Sequence, residues 1–491
     1  MLETSLRPST TAPTTLAEIV SGVPGSEIRG DARAPIAGVA YRSDQVVAGG
    51  LFFCVPGTRL DGHDFAADAV ARGASALVTE RTLGLDVTEV LVRSVRQAMG
   101  PISAAFYGHP ADRLVTVGVT GTNGKTTTTY LLESVFRAAG LVPGVIGTTG
   151  LRIDGRPAPL PRTTPEAPDL HRVLAEMEAG GVGAVAMEVS SHGLDQHRVG
   201  GVRFSCGVFT NLSQDHLDYH GTMEAYLASK ARLFTPEMSA RAAVNADDPA
   251  GRSLVRRDPP TLTYGLSAEA ELRADAVSLE AEGLSFRVGG LTIRSRLRGR
   301  FNVYNNLAAL AAARSLGFDD AATQAGLAAV TGVPGRLEPV DAGQDFLVVV
   351  DYAHTPDSLE NVLEAVRPLT STRVICVFGC GGDRDRAKRP LMGRAATRLA
   401  DLTVVTSDNP RSEDPLAIVA EIEPGAREGG GAYVVEPDRR AAIRLALAEA
   451  RTGDVVVIAG KGHETGQEFA DRTIPFDDRV VASQELEELQ R

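Results

Sequence analysis

Leu114-Val-Thr-Val-Gly-Val-Thr-Gly-Thr-Asn-Gly-Lys-Thr-Thr127 decides the reading of this chain. Its first seven residues are apolar or β-branched and read as a buried strand. Gly121-Thr-Asn-Gly124 follows as a tight turn, and 126–139 reads as a helix closed by Gly140. Strand, glycine turn and helix in that order bring consecutive backbone N–H groups and a helix N-terminus onto one anion. Lys125 in this register meets the outer phosphates of a nucleotide, and the Thr126 hydroxyl faces its divalent cation. The strict Gly-x4-Gly-Lys spacing is not kept, because Val119 stands at the first glycine position. Nucleotide binding is nevertheless the reading, with Gly121, Thr122, Asn123, Gly124, Lys125, Thr126 and Thr127 as the phosphate loop.

Outward from this loop the same rhythm continues. Ala184-Val-Ala-Met-Glu-Val, Phe204-Ser-Cys-Gly-Val-Phe and Arg241-Ala-Ala-Val are further strand candidates, some separated by helical patterns, which predicts a mostly parallel α/β sheet. Residues 261–298 read as short alternating strands extending that sheet, and 305–316 as an Ala- and Leu-rich helix. Before 110, short apolar runs alternate with turn residues until Tyr107-Gly-His-Pro-Ala-Asp breaks the pattern. After Gly332-Val-Pro-Gly-Arg336 come five more strand candidates, each followed by a polar or Gly-rich loop. Three α/β domains are expected: 1–110, 111–334 and a Rossmann-like 335–491. At ~100–200 residues per domain, 491 residues agree.

Composition narrows the function. With 43% hydrophobic and 23% charged residues the chain has material for several cores. A net charge of −12 argues against a general nucleic-acid or anionic-membrane binder. Cys54, Cys206, Cys376 and Cys380 lack Cys-x-x-Cys spacing, so neither a disulfide framework nor a zinc ribbon is indicated. The polar N-terminus and the absence of a ~20-residue apolar run predict a soluble, cytoplasmic protein without membrane insertion.

Ligands in such sheets bind at the carboxyl ends of strands, where the unusual residues of this chain cluster. Glu188 ends one strand candidate, and Asp215-His-Leu-Asp-Tyr-His220 follows another; together they suit a divalent-cation site beside the phosphate loop. His216 and His220 at i, i+4 raise zinc as an alternative, but Leu217 breaks the His-Glu-x-x-His pattern. Six of the nine histidines (His192, His197, His216, His220, His354 and His463) lie in or beside post-strand loops, pointing to a polar centre. Lys230, one turn from Tyr226, reads by itself as a solvated surface lysine. Arg384 and Arg411 follow buried strands and suit bidentate carboxylate recognition, while Glu464 in Gly460-Lys-Gly-His-Glu offers a partner for an amine. Together they fit a zwitterionic amino acid.

Gly121-Thr-Asn-Gly-Lys-Thr-Thr, Thr163-Thr-Pro, Met187-Glu-Val-Ser-Ser-His-Gly-Leu, Asp351-Tyr-Ala-His-Thr-Pro and Asp408-Asn-Pro-Arg411 together resemble the Mur ligases. These are the ATP-dependent amide-forming enzymes of peptidoglycan precursor synthesis, and the resemblance runs over residues 43–464. It implies an N-terminal uridine-nucleotide domain, a central ATP-binding domain and a C-terminal amino-acid-binding domain, in a monomer. ATP would be held by the phosphate loop with Asn302, Asn305, Arg336 and Asp351, and Mg²⁺ by Thr126, Glu188, His216 and Lys230. Lys125, Glu188, His216 and Lys230 would be the catalytic set. Lys230 matches a lysine that the family carbamylates, which reverses its bland reading. The nucleotide-sugar substrate, UDP-N-acetylmuramoyl-L-alanyl-D-glutamate, would lie on Tyr41, Ser43, Thr58, Arg59 and Leu60 at its uridine end. Thr163, Thr164, Ser190, Gln196 and Arg198 would hold its peptide end. Arg42-Ser-Asp44 stands where the family commonly has Asp-Ser-Arg, a departure that bears on the uridine contacts.

The Asp408-Asn409-Pro410-Arg411 tetrad accompanies meso-diaminopimelate in the family, with Arg384, Gly460 and Glu464 completing its pocket. The physics agrees: diaminopimelate has a distal carboxylate for Arg411, and lysine would leave that arginine unpaired. The alternatives are a lysine-adding ligase of the same family, a small-molecule kinase, and an ATP-gated binding protein.

Overall fold

A computed structural model describes residues 14–57, 60–280 and 282–489. The strand Val115–Thr120 lies inside an 11-stranded sheet, between Ala184–Glu188 and Cys206–Phe209 and parallel to both. Pro143–Gly147 continues the parallel order on one side, Ala242–Asn245 and Thr261–Gly265 on the other. The chain therefore leaves Val115–Thr120 toward one edge and later returns to its opposite side, and this reversal opens a crevice at the strand's carboxyl end. The phosphate loop occupies that crevice. Both edges of the sheet are antiparallel. The hairpin Gly150–Ile153/Arg156–Ala158 closes one edge, unanticipated despite its Asp154-Gly155 turn, and Leu272–Glu280, Gly283–Val288 and Leu291–Ser295 extend the other as expected.

The helix Lys125–Ala138 starts at the lysine, packing Leu131, Leu132, Val135 and Phe136 under the sheet with Val117 and Val119. Two glycines permit the loop that feeds it. Gly121 (φ 147°) and Gly124 (φ 88°) adopt left-handed backbone, and a Cβ on either would collide with Thr210 Oγ1 or Asn305 Oδ1. The Ala-rich helix begins five residues earlier than its composition suggests, spanning Arg300–Ser315. Asn302 and Asn305 thereby stand on its first turns, with Asn305 against Gly124 of the loop.

A second, 6-stranded sheet follows Gly335. Leu347–Asp351, Val455–Ala459, Val374–Phe378, Leu402–Val405 and Ala432–Val435 run parallel in that spatial order, with Glu338–Val340 antiparallel at the edge. The last of these strands in sequence, Val455–Ala459, inserts between Leu347–Asp351 and Val374–Phe378, so the loops after Asp351, Phe378, Val405 and Ala459 converge. A third, 5-stranded sheet comprises Glu27–Arg29, Thr88–Leu91, Ala74–Thr79, Gly50–Phe53 and Val39–Ala40, packed on the helix Val95–Phe106. No helix among the described residues is long and apolar enough to cross a membrane.

Candidate active site

The phosphate loop opens onto a cavity of about 580 Å³ between the central and C-terminal sheets. Asn123, Gly124, Thr126, Thr127 and Arg336 form its polar floor, and Phe301, Val362, Ala365 and Leu369 its apolar wall. A polar end for phosphates and an apolar slot for a planar base is the shape a nucleotide requires. Asn305 and Asp351 also line it, whereas Asn302 lies behind, its Oδ1 accepting from Asn305 Nδ2 at 2.8 Å. The Asp351 carboxylate accepts from the backbone N–H of Leu337 (2.7 Å) and Ala353 (2.8 Å), which ties the segment entering the C-terminal sheet to the loop leaving it. Arg336 donates to Thr126 Oγ1 at 3.1 Å, and Asp357 accepts from Asn123 Nδ2 at 2.7 Å. The C-terminal segment thus closes directly over the phosphate loop.

Two lysines meet behind the loop. Lys125 Nζ donates to the carbonyls of Gly121 (2.9 Å) and Thr122 (2.7 Å), and Lys230 Nζ donates to the same Gly121 carbonyl at 2.8 Å. Lys230 is only 1% exposed, so the reading of a solvated helix surface fails. The helix Met223–Ala231 turns it inward, its ammonium 4.4 Å from the Tyr226 ring centroid. Among the described residues no carboxylate lies within 4.0 Å of either ammonium. Burial, and for Lys230 then the neighbouring Lys125, lowers both amines below the ordinary lysine value, Lys230 well below it.

Glu188, 1% exposed, accepts from Thr148 at both oxygens, from N–H and Oγ1 at 2.9 Å each. Thr164 Oγ1 donates to the Glu188 carbonyl (3.0 Å) and accepts from Ser190 N–H (3.0 Å), linking three expected site residues. Thr163 joins through Thr148 at 3.3 Å, and Arg198 donates to the Thr164 carbonyl (3.1 Å) and to Gln196 Oε1 (2.6 Å). His216, in left-handed backbone (φ 54°), holds Nε2 3.3 Å from Asp215 Oδ2. Burial depresses its imidazole to about 3, which keeps the ring neutral and a nitrogen lone pair available. His354 (3.7 Å) and Lys388 (3.8 Å), from the C-terminal segment, also approach Asp215.

No three His, Cys, Asp or Glu side chains among the described residues converge as a ready-made metal cage. The donor chemistry suits a hard cation in part: Thr126 and Glu188 offer oxygens, as Mg²⁺ prefers. Lys230 in its present form offers only donors, and would fit only as an anion. His220 turns away from any zinc geometry, bonding Ser191 Oγ at 2.9 Å.

At the C-terminal strand ends, Asn409 Nδ2 donates to Glu464 Oε2 at 2.8 Å. The wholly buried Lys461 bridges Asn409 Oδ1 (2.9 Å) and Glu464 Oε2 (3.0 Å). Its role was not singled out from the sequence, although a lysine between two glycines after a buried strand was the available signal. Arg411 donates through Nε to Glu468 (3.1 Å) and through a terminal nitrogen to the Gly382 carbonyl (2.8 Å), while Arg384 is exposed and donates to the neighbouring Asp383 carbonyl (2.9 Å). Asp408 is buried beneath the pocket, one oxygen accepting from Asn409 N–H at 2.6 Å and the other packed on Gly460. The Pro410 carbonyl is pressed against Gly382, locking the two arginine-bearing loops together.

At the far end, Tyr41 donates to Asp169 at 2.8 Å, and Ser43 opens a short 3₁₀ turn. Arg42 and Asp44 pair with each other at 2.6 Å, so the reversed triplet closes on itself. Leu60 is 68% exposed; Thr58 and Arg59 lie outside the described residues.

Family models described as Mur ligase family catalytic domain, Mur ligase middle domain, and Mur ligase glutamate ligase domain match residues 35–107, 119–313 and 335–462. A protein of Geobacillus thermodenitrificans (strain NG80-2) is 48% identical over 96% of this chain and 99% of its own length. The chain belongs to the Mur ligase family. That relative is named UDP-N-acetylmuramoyl-L-alanyl-D-glutamate--2,6-diaminopimelate ligase, as is one from Streptomyces avermitilis, 45% identical over 99% of this chain and 98% of its own. A solved structure under the same name shares 36% identity with a TM-score of 0.70, covering 98% of this chain and 100% of that one. The MurF ligase of Thermotoga maritima, at 21% identity and TM-score 0.65 over 92% of this chain and 98% of its own, shares the fold.

Proposed function

We propose that this Mur ligase joins meso-diaminopimelate to UDP-N-acetylmuramoyl-L-alanyl-D-glutamate at the expense of ATP, yielding ADP and phosphate in peptidoglycan precursor synthesis. The observation that carries it is the facing of two loop sets: the phosphate loop on one side, and the loops of Arg384, Asn409, Arg411 and Glu464 on the other. Asn123–Asp357 and Gln214–Asp385 (3.0 Å) join the two sides.

A free carboxylate has no good leaving group; phosphorylation by ATP supplies one. The terminal D-glutamate carboxylate attacks the γ-phosphorus, the bond from that phosphorus to the bridging oxygen breaks, and ADP leaves the acyl phosphate behind; the diaminopimelate amine then attacks the acyl carbon, phosphate departs with the C–O bonding pair, and the nitrogen releases a proton. No protein nucleophile is needed, and positioning with charge neutralisation carries the rate. Lys125, pinned inside the loop, presents its charge to the phosphates. Thr163, Thr164, Ser190, Gln196 and Arg198 hold the dipeptide end beside Glu188. Arg411 and Arg384 take carboxylates of diaminopimelate, and Glu464, oriented by Asn409 and Lys461, takes its distal ammonium. Thr126 and Glu188, with His216 and a modified Lys230, would hold Mg²⁺, which would supply charge neutralisation of the transferred phosphoryl group.

Lys230 suits that modification. A neutral ε-amine attacks CO₂, an N–C bond forms, and a proton leaves to solvent, giving a carbamate anion. Its burial and the Lys125 charge favour the neutral amine, and an anion there would relieve the repulsion between the two cations.

Phosphate release measured with ATP, Mg²⁺ and the nucleotide-sugar dipeptide, with meso-diaminopimelate, L-lysine or neither, tests the reading. Turnover with diaminopimelate alone, and a product heavier by one diaminopimelate residue, is expected. Equal turnover with lysine would remove the specificity assigned to Arg411, and phosphate release without any amine would favour a kinase.

A further inference from the structure

Glu166, 3% exposed, lies where the N-terminal and central units meet, and three guanidiniums share its carboxylate. Arg96 reaches it at 2.7 Å from the helix Val95–Phe106. Arg162 bonds its Oε1, and Arg198 Nε stands 3.2 Å from the same oxygen without the angle of a hydrogen bond. Among the described residues none of the three arginines has another carboxylate within 4.0 Å. One negative charge against three positive ones leaves a local surplus of cation in a chain whose net charge is −12.

This surplus is held in place. One turn along from Arg96, Gly100 has no room for a Cβ because the Gly200 backbone, two residues after Arg198, fills the space. The His171 ring nitrogen bonds the Gly200 carbonyl at 2.9 Å from the other side. The backbones that carry Arg96 and Arg198 are therefore held at a fixed separation. Burial, against the Glu166 charge and with Arg162 and Arg96 nearby, lowers the Arg198 guanidinium below its ordinary value. A fixed, under-neutralised cluster of this kind is a poor stability device but a ready receptor for an oxyanion. It also sits beside the expected substrate groups. Thr163 and Thr164 lie between Arg162 and Glu166 in sequence, and the Thr164 hydroxyl reaches the Glu188 carbonyl.

We infer that Arg96, Arg162 and Arg198, organised by Glu166, form an oxyanion subsite across this junction for a phosphate or carboxylate of the nucleotide-sugar dipeptide. Arg96 and Arg162 are thereby specificity-determining residues, and Glu166 is the positioning residue. The subsite rests on the proposed substrate. Side-chain exposures of 28% for Arg96 and 49% for Arg162 leave both free to reach a ligand.

Calorimetric titration of the full chain and of the Arg96→Gln, Arg162→Gln and Arg162→Lys variants tests it. The probes are the nucleotide-sugar dipeptide, UDP, N-acetylmuramoyl-L-alanyl-D-glutamate, and ADP as a control. Each glutamine variant should weaken dipeptide-nucleotide binding about tenfold, the worth of one charge-assisted hydrogen bond, with ADP affinity unchanged. Arg162→Lys should restore most of the loss, and added salt should weaken the wild type more than either glutamine variant. Loss carried by UDP assigns the phosphates; loss carried by the nucleotide-free dipeptide assigns a carboxylate. Unchanged affinity for all three substrate probes, or a parallel loss for ADP, would overturn the subsite. A wild type that binds ADP but none of the three would instead overturn the substrate reading, and the subsite with it.

Discussion

Arg439→Met tests how the loops after Val405 and Ala459, which form the proposed amino-acid pocket, are held up. Arg439 and Asp478 are both fully buried, and the guanidinium donates to both Asp478 oxygens at 2.8 and 2.7 Å. Its remaining bonds go to the Ser407 (3.2 Å) and Ala459 (2.9 Å) carbonyls, at the ends of the two strands that carry Asp408 and Gly460. Removing one partner of a buried pair strands the other charge and costs about 3–5 kcal/mol. With a urea slope of about 2 kcal/mol/M, the C-terminal unit should unfold about 2 M earlier. The chain has no Trp, so circular dichroism with tyrosine emission is the appropriate readout. Arg439→Met/Asp478→Leu should recover most of the loss, because no charge is then left buried. In either variant the KM for diaminopimelate should rise more than that for ATP, since the Ser407 and Ala459 ends lose their common anchor. A single-variant cost under about 1 kcal/mol, or a double variant no more stable than the single one, would refute this reasoning.

Three further outcomes follow from the site. Lys230→Ala should be inactive and partly rescued by a short carboxylic acid added to the assay; full activity without rescue would show that no carbamate is needed. Arg411→Ala should raise the KM for diaminopimelate far more than that for ATP, and equal effects on both would remove its specificity role. His171, which burial lowers to about 4, should make the fold acid-sensitive: the unfolded chain takes a proton near 6.5 while the folded one does not. Stability is therefore intact above pH 6.5 and falls by about 1.4 kcal/mol per pH unit toward 4. In urea titrations across that range His171→Gln should lose less than the wild type, and parallel slopes would reject the assignment.

The phosphate loop, its strand and its helix were legible because glycine, lysine and threonine at fixed offsets encode backbone geometry locally. The loops after Asp351, Phe378, Val405 and Ala459 were legible as strand ends for the same reason. Lys230 was not: its helix has no strong apolar stripe, its Thr222 cap marks where the helix starts but not which face is inward, and only packing against the phosphate loop buries the amine. The start of the Arg300–Ser315 helix was placed late because Arg300-Phe-Asn-Val-Tyr-Asn is a weak helix sequence in isolation. Packing of Phe301 against the C-terminal core holds that first turn, and with it Asn305, at the cavity.

Sequence by itself determined the α/β class and the strand–glycine turn–helix of the phosphate loop, since both depend on residue type at short spacing. Tertiary structure alone decided which charges share a partner. Lys125 and Lys230 meet on one carbonyl across 105 positions of sequence, Asn409 reaches Lys461 and Glu464 from 52 and 55 positions away, and Arg96 and Arg198 join the neighbouring Arg162 on Glu166. Electrostatic energy depends on distance and burial, and neither is written along the chain until the sheets bring remote strand ends together.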